Sequence, residues 1–178
     1  MSETKLIQGC LQNDRTCQKK LYDQYSGQMY SICLRYCRCE TIAADALQNA
    51  FIRVFKHLDS YRNEGDLGAW IRRIVVRSSL DQIKTEKKYA TSDIEDIKYD
   101  AYDSVVMHDS MTYDALLKLL DQLPTGYRTV FSMSVLDELN HKEIADILHI
   151  SEATSRTQLL KARKYLQQLI SQSANLYV

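Results

Sequence analysis

Residues 140–166 read NHKEIADILHISEATSRTQLLKARKYL. Ile144, Ile147 and Leu148 recur at threes and fours, which is the spacing of one helical face, and the pattern breaks at His149 and Ile150 before resuming. Asn140 can cap the first helix, with Glu143 three positions on as the partner of a capping box, and Ser151 can cap the second. Ala145 is the small residue needed where two helices cross. The stretch therefore has the arrangement of a helix-turn-helix, which leaves Glu152, Arg156, Thr157 and Lys161 on the outward side of its second helix. From Ala153 onward Arg156, Lys161, Arg163 and Lys164 are basic and no residue is acidic. Such charge suits a phosphate backbone, although a basic helix can also simply complement its own dipole.

Upstream, Pro124 sits at a first helical turn, and a helix is predicted from Thr125 to about Leu136, preceded by another over Ala115–Leu123. Before these lies YATSDIEDIKYDAYDSVVMHDSMTYD (89–114), which has neither a helical stripe nor strand alternation and reads as a linker. Earlier still, Leu21, Tyr25, Met29, Ile32, Leu34 and Tyr36 recur near helical spacing. Ala43, Ala44, Ala46, Leu47, Ala50, Phe51, Val54, Phe55 and Leu58 mark a second helix, with Thr41 as its expected cap. Asn63, Gly65 and Gly68 punctuate a loop from Tyr61 to Gly68, and a third helix is expected from about Ala69 to Lys88.

The fold class expected is all-α: two small helical domains, 1–89 and 115–178, joined by an acidic linker over 90–114, with the helix-turn-helix in the second. Composition agrees. The 178 residues hold five Gly and one Pro, too few for an all-β fold rich in tight turns. No apolar run approaches the roughly 20 residues of a membrane helix. MSETKLIQGC lacks the basic start and apolar core of a signal peptide, so a soluble, cytoplasmic protein is expected without membrane insertion. The 23 basic and 23 acidic side chains cancel overall but are segregated along the chain. Residues 1–89 hold 15 basic against 10 acidic (+5), residues 90–114 one against seven (−6), and residues 115–178 seven against six (+1).

The third helix of the first block carries Arg72, Arg73, Arg77, Lys84, Lys87 and Lys88. At about 100° per residue, Arg73, Arg77, Lys84 and Lys88 fall within about 60° of one another and form a basic strip, with Leu80 inside it and Val76 beside it. Tyr61 and Trp70 bracket the polar loop ahead of the strip. A base drawn out of a DNA strand needs stacking surfaces beside positive charge, and these residues supply both, although core packing is the commoner task of a Trp.

As a set, these residues resemble a known family. LYDQYSGQMYSICLRY (21–36), ADALQNAFIRVFKHL (44–58), YRNEGDLGAWIRRI (61–74) and LLKLLDQLPTGYRTVFSMSVLDELNHKEIADILHIS (116–151), followed by TSRTQLLKARKYL (154–166), are similar to the bacterial RNA polymerase sigma factors. The likeness is to the small, two-domain extracytoplasmic-function (ECF) group of the sigma-70 superfamily. It covers most of the chain in the right order. The resemblance implies a non-catalytic initiation factor that binds core RNA polymerase, directs it to promoters through −10 and −35 contacts and assists promoter opening, without a cofactor or a metal. Asp45, Leu47, Gln48, Asn49 and Phe51 would belong to the segment that docks on the coiled coil of the largest polymerase subunit. Asp45 and Gln48 would be its polar contacts, while the apolar neighbours stay in the fold. Tyr61, Arg62, Asn63, Trp70, Arg73, Arg77 and Lys84 would serve the −10 region, where the loop captures a flipped base. Arg156, Thr157 and Lys161 would face −35 bases, with Thr154, Gln158 and Arg163 directed to the backbone. The acidic linker could run through a positive polymerase channel, or simply stay solvated as a tether. An anti-sigma factor is implied as a restraining partner. Many relatives have Asn at the place of Arg77, Gly at that of Ala153 and an aliphatic residue at that of Ser155.

Cys10, Cys17, Cys33, Cys37 and Cys39 leave two further readings. The C-x3-C-x-C cluster from Cys33 has no His close in sequence to complete a zinc site, and an odd count in a cytosolic chain argues against a disulfide framework. Packing as small hydrophobes is the default. Against the initiation factor stands a lone DNA-binding regulator whose first domain dimerises. An enzyme is disfavoured, because His57, His108, His141 and His149 are scattered and neither a Ser/His/Asp set nor a phosphate-cradling Gly loop is present.

Overall fold

A computed structural model of the protein describes residues 2–62, 65–90 and 110–174. The chain divides into two compact units, Met1–Ala101 and Tyr102–Val178. All regular structure among the described residues is helical.

The first unit comprises α1 (Glu3–Leu11), α2 (Arg15–Cys37), α3 (Glu40–His57), a 3₁₀ turn (Leu58–Ser60) and α4 (Leu67–Ala90). Helices α2, α3 and α4 pack against one another in a triangle. Leu21, Met29 and Cys33 of α2, Val54 of α3 and Leu67, Ile71, Val75 and Val76 of α4 are sealed from solvent at its centre. Helix α3 fits between the other two because Ala43, Ala46 and Ala50, all fully buried, line its inner side. Small side chains there let two helix axes approach closely while the larger residues interdigitate around them. At the rim, Arg53 of α3 donates to Asp81 of α4 at 2.8 Å and to the Ser78 hydroxyl at 3.3 Å. Both ionic partners are more than two-fifths exposed, so the pair adds little to stability beside the apolar burial.

Helix α1 is an element the sequence reading did not pick out. Leu6, Ile7 and Cys10 are buried on α2 and against the 3₁₀ turn. Ser2 accepts from the Lys5 amide to cap the helix, and Asp14 accepts from the amides of Thr16 and Cys17 to open α2. Gly9 is required where the two helices meet, because a Cβ there would lie 2.3 Å from Cys17 Sγ.

In the second unit, α5 (Ser110–Asp121) leads to α6 (Thr125–Phe131), which continues through a π turn over Ser132–Leu136 into α7 (His141–Leu148) and α8 (Glu152–Ala174). Leu120, Val130, Met133, Ile144 and Ala162 form its core. The capping box is present: Glu143 N–H donates to Asn140 Oδ1 at 3.0 Å, and Asn140 N–H donates to Glu143 Oε2 at 2.9 Å. Ser151 Oγ accepts from the Thr154 amide at 3.0 Å and so caps α8. Between them His149 ends α7 in the left-handed region (φ 56°), a conformation that costs an L-residue roughly 1–2 kcal/mol and that makes the sharp turn possible.

Element boundaries differ from expectation in three places. Thr41 does not cap α3. Cys39 occupies the N-cap position, because the left-handed Arg38 (φ 56°) ends α2 and returns the chain at once. Helix α4 begins at Leu67, where Asp66 Oδ1 accepts from the Ala69 amide, two residues before the expected start. Helix α5 begins at Ser110, inside the segment read as linker, so the charge run masks a helical start. Residues 91–109 of that segment lie outside the described residues.

Removing a cap isolates the contribution of the turn. Asn140→Ala should destabilise the second unit by about 1 kcal/mol and lower its thermal midpoint by roughly 4–8 °C, whereas Asn140→Ser should hold both. Amide-exchange protection of α7 during thermal unfolding reads the difference.

Candidate nucleic-acid interface

Three surfaces carry the residues singled out by sequence. On α3, the outer side presents Asp45, Gln48 and Asn49, all exposed. Asn49 Nδ2 donates to Gln82 Oε1 of α4 at 3.3 Å, so its amide is held in place. Leu47 and Phe51 do not belong to this surface. They are 7% and 3% exposed, and the Phe51 ring packs against Tyr22 with centroids 4.7 Å apart and planes inclined by 60°. Both pack into the fold, and the exposed apolar side chain on this side is Ile52, 64% exposed beside Asn49. The sequence reading left Ile52 off the inner face of this helix but gave it no role.

The second surface lies at the start of α4. Tyr61 and Trp70 face each other with ring centroids 5.5 Å apart and planes inclined by 48°. Ser60, Tyr61, Arg62, Gly65, Asp66, Ala69, Trp70 and Arg73 enclose a recess of about 230 Å³. Gly65 turns the chain at φ 130°, and its carbonyl accepts from the Tyr61 hydroxyl, which fixes the ring across the recess. Arg62 and Arg73 are exposed at its mouth, and Arg77 and Lys84 continue exposed along α4. Val76 is buried and Leu80 half-buried, so the apolar pair anchors the helix while the cations stay in solvent. Asn63 lies outside the described residues.

Burial, followed by the carboxylates of Glu3 and Asp66, holds the phenols of Tyr25 and Tyr61 above the ordinary tyrosine range. Both are neutral at physiological pH and can donate hydrogen bonds. Glu3 belongs to α1, so the overlooked helix contributes to the electrostatics of the recess. Ser2 ahead of Glu3, with Leu6, Ile7 and Cys10 at helical spacing, was the signal available for it.

The third surface is α8. Arg156, Thr157, Lys161 and Arg163 are exposed, while Leu159, Ala162 and Leu166 are buried on the opposite side. Arg156 donates to Glu152 Oε2 at 2.7 Å, an exposed pair within one turn that orients the guanidinium at small energetic cost. Thr154 is exposed but engaged with Ser151, the two hydroxyls lying 2.8 Å apart. Gln158 is half-buried, with its amide over Gly126 of α6, which leaves it the least outward of the six. Ser155, read from sequence only as an unusual residue, is fully buried and lies 2.8 Å from His141 Nδ1.

Cys10, Cys17, Cys33 and Cys37 are buried thiols, and Cys39 is half-buried. Among the described residues, no group of three or more His, Cys, Asp or Glu could hold a metal ion. No helix among them is long and apolar enough to cross a membrane.

These geometries meet their counterparts in known proteins. Residues 21–89 match the family model of sigma-70 region 2, and residues 113–166 match that of sigma-70 region 4. The ECF RNA polymerase sigma factor SigM of Bacillus subtilis is 27% identical over 159 residues, covering 88% of this chain and 96% of that protein. SigW of the same organism is 27% identical over 92% of this chain and 94% of its own length. The sigma-E factor of Escherichia coli is 22% identical over 92% of each. Among solved structures, the sigma factor RpoE in complex with the anti-sigma factor NepR from Bartonella quintana superposes with a TM-score of 0.65 at 16% identity, over 86% of this chain and 96% of that one. CnrH in complex with the cytosolic domain of CnrY superposes with a TM-score of 0.56 at 17% identity, over 93% and 95%. The fold together with these matches thus defines an RNA polymerase specificity subunit that directs transcription initiation to promoters. The chain belongs to the sigma-70 family, in its ECF group.

The thiols give an independent check on the first unit. Burial, first of all, pushes Cys10 up to about 11 and Cys37 up to about 12, whereas the Ile42 amide and then the Thr41 hydroxyl hold Cys39 below the ordinary cysteine range. At pH 7.5, iodoacetamide should modify Cys39 first, with the buried thiols reacting only on unfolding. The rate at Cys39 should reach its plateau at a lower pH than that of a free cysteine, as read by mass spectrometry of timed digests.

Proposed function

We propose that this sigma factor divides its work between its two units: residues 1–89 bind core polymerase and open the −10 region, and residues 115–178 read the −35 element. The acidic segment between α4 and α5 acts as the tether between them. The observation that carries this reading is the recess closed by Tyr61 and Trp70 at the head of an exposed row of Arg73, Arg77 and Lys84. An aromatic recess can take the face of an unstacked base, and the cations beside it can take the phosphates of the strand that leaves the duplex. Unstacking costs a few kcal/mol per base, and stacking returns roughly 1–3 kcal/mol per base, so recess and cation row must act together.

On α3, the Asp45 carboxylate and the Gln48 and Asn49 amides suit an Arg-rich coiled coil of the largest polymerase subunit, with Ile52 supplying apolar contact. On α8, Arg156, Thr157 and Lys161 stand where a recognition helix presents side chains to base edges, and Thr154, Gln158 and Arg163 support backbone contacts. In this reading the protein acts in the cytoplasm without a cofactor and performs no catalysis of its own, since the polymerase makes the phosphodiester bond. An anti-sigma factor is its expected restraining partner, in keeping with NepR bound to the similar RpoE.

Transcription by core polymerase from a defined promoter tests the division directly. Asp45→Ala should lower capture of core polymerase in co-migration assays without altering the preference among −35 sequences. Arg156→Ala should leave core capture intact and cost −35 discrimination by about 1–3 kcal/mol at one position. Loss of both functions in either variant would contradict the division.

A further inference from the structure

Helices α7 and α8 are joined by a side-chain hydrogen bond at an unusual place. Ser155 stands in the first turns of α8 with its side chain fully buried, while its neighbours Arg156 and Thr157 are exposed. Its hydroxyl lies 2.8 Å from Nδ1 of His141, the first residue of α7, which is only partly exposed. A buried hydroxyl is costly to leave without a partner, and an imidazole nitrogen bonded at one edge has its ring orientation held by that bond. Apolar packing sets the rotation of a helix through many weak, non-directional contacts. A single short hydrogen bond between two fixed helices is directional and admits a narrow range of angles.

We propose that His141 and Ser155 are positioning residues for the recognition helix, the bond between them fixing the rotation of α8 and hence which bases Arg156, Thr157 and Lys161 reach. The inference rests on the reading of α8 as the −35 reader and deepens it. The same bond is placed to act because His141 begins directly after Asn140, whose capping box anchors the start of α7, and because Ser155 lies one turn from the Ser151 cap of α8. Both helix starts are thus pinned locally, and the His141–Ser155 bond ties one to the other. Ala153, Arg156 and Thr157 then follow from the rotation that Ser155 imposes, since all lie within two residues of it.

The test uses the full chain with core polymerase and a promoter library randomised at −35. His141→Phe and Ser155→Ala should each reduce discrimination between the best and scrambled −35 elements about fivefold, with core capture and −10 dependence unchanged. The double variant His141→Leu/Ser155→Ala replaces the polar pair by an apolar one of similar volume and guards against loss of folding. It should recover the thermal midpoint of the wild type yet give a shifted or flattened −35 profile. A stable double variant that keeps the wild-type profile would overturn the proposal, because the bond would then serve stability alone. If the wild type starts no RNA at a defined site, the reading of α8 as a −35 reader falls, and this inference with it.

Discussion

The close approach of α3 to α2 and α4, made possible by Ala43, Ala46 and Ala50, is the contact on which the first unit depends. Three small residues on one side of a helix let Leu21, Met29, Val54, Ile71 and Val75 fill the space between the axes. Each fully buried large side chain contributes about 1.5–3 kcal/mol, and widening the gap would forfeit many of these contacts together. The exposed surfaces follow from that spacing. With α3 seated, Asp45, Gln48, Asn49 and Ile52 share one exposed side. With α4 seated, its first turn carries Trp70 to Tyr61 while Arg73, Arg77 and Lys84 remain in solvent.

The second unit is held by different means. Its core is smaller, and its geometry is set by polar devices: the reciprocal Asn140–Glu143 cap, the Ser151 cap, the left-handed His149 and the His141–Ser155 bond. Hydrogen bonds of this kind add modestly to stability but strongly to direction. A recognition helix needs direction above all, since a small rotation exchanges one set of base edges for another.

Much of this was legible in the sequence, for identifiable reasons. Strong periodicity marked α3, α7 and α8, and the Asn140, Glu143 and Ser151 caps were read correctly because capping depends on local chemistry alone. The sigma-like segments were visible as ordered motifs. Helix α1 escaped because nine residues with three buried positions give a weak periodic signal. Ser155 escaped for a related reason: which side of a helix is covered depends on neighbours distant in sequence. Ile52, left off the inner face in the sequence, does lie outside. Ser155, in a polar run, lies inside, where only the placement of His141 makes it acceptable.

The central claim is that the recess beneath Tyr61 and Trp70 receives a base when the promoter opens. Trp70 is the single tryptophan of the chain, so selective excitation of its fluorescence in a complex rebuilt with tryptophan-free polymerase fragments, or after labelling this chain alone with a tryptophan analogue, observes the recess directly. Stacking of a base should quench that signal when a single-stranded −10 oligonucleotide of the non-template strand is added. The quenching should vanish when the oligonucleotide carries an abasic site at the captured position. Quenching that is unaffected by the abasic site, or absent while the oligonucleotide is bound, would contradict the account.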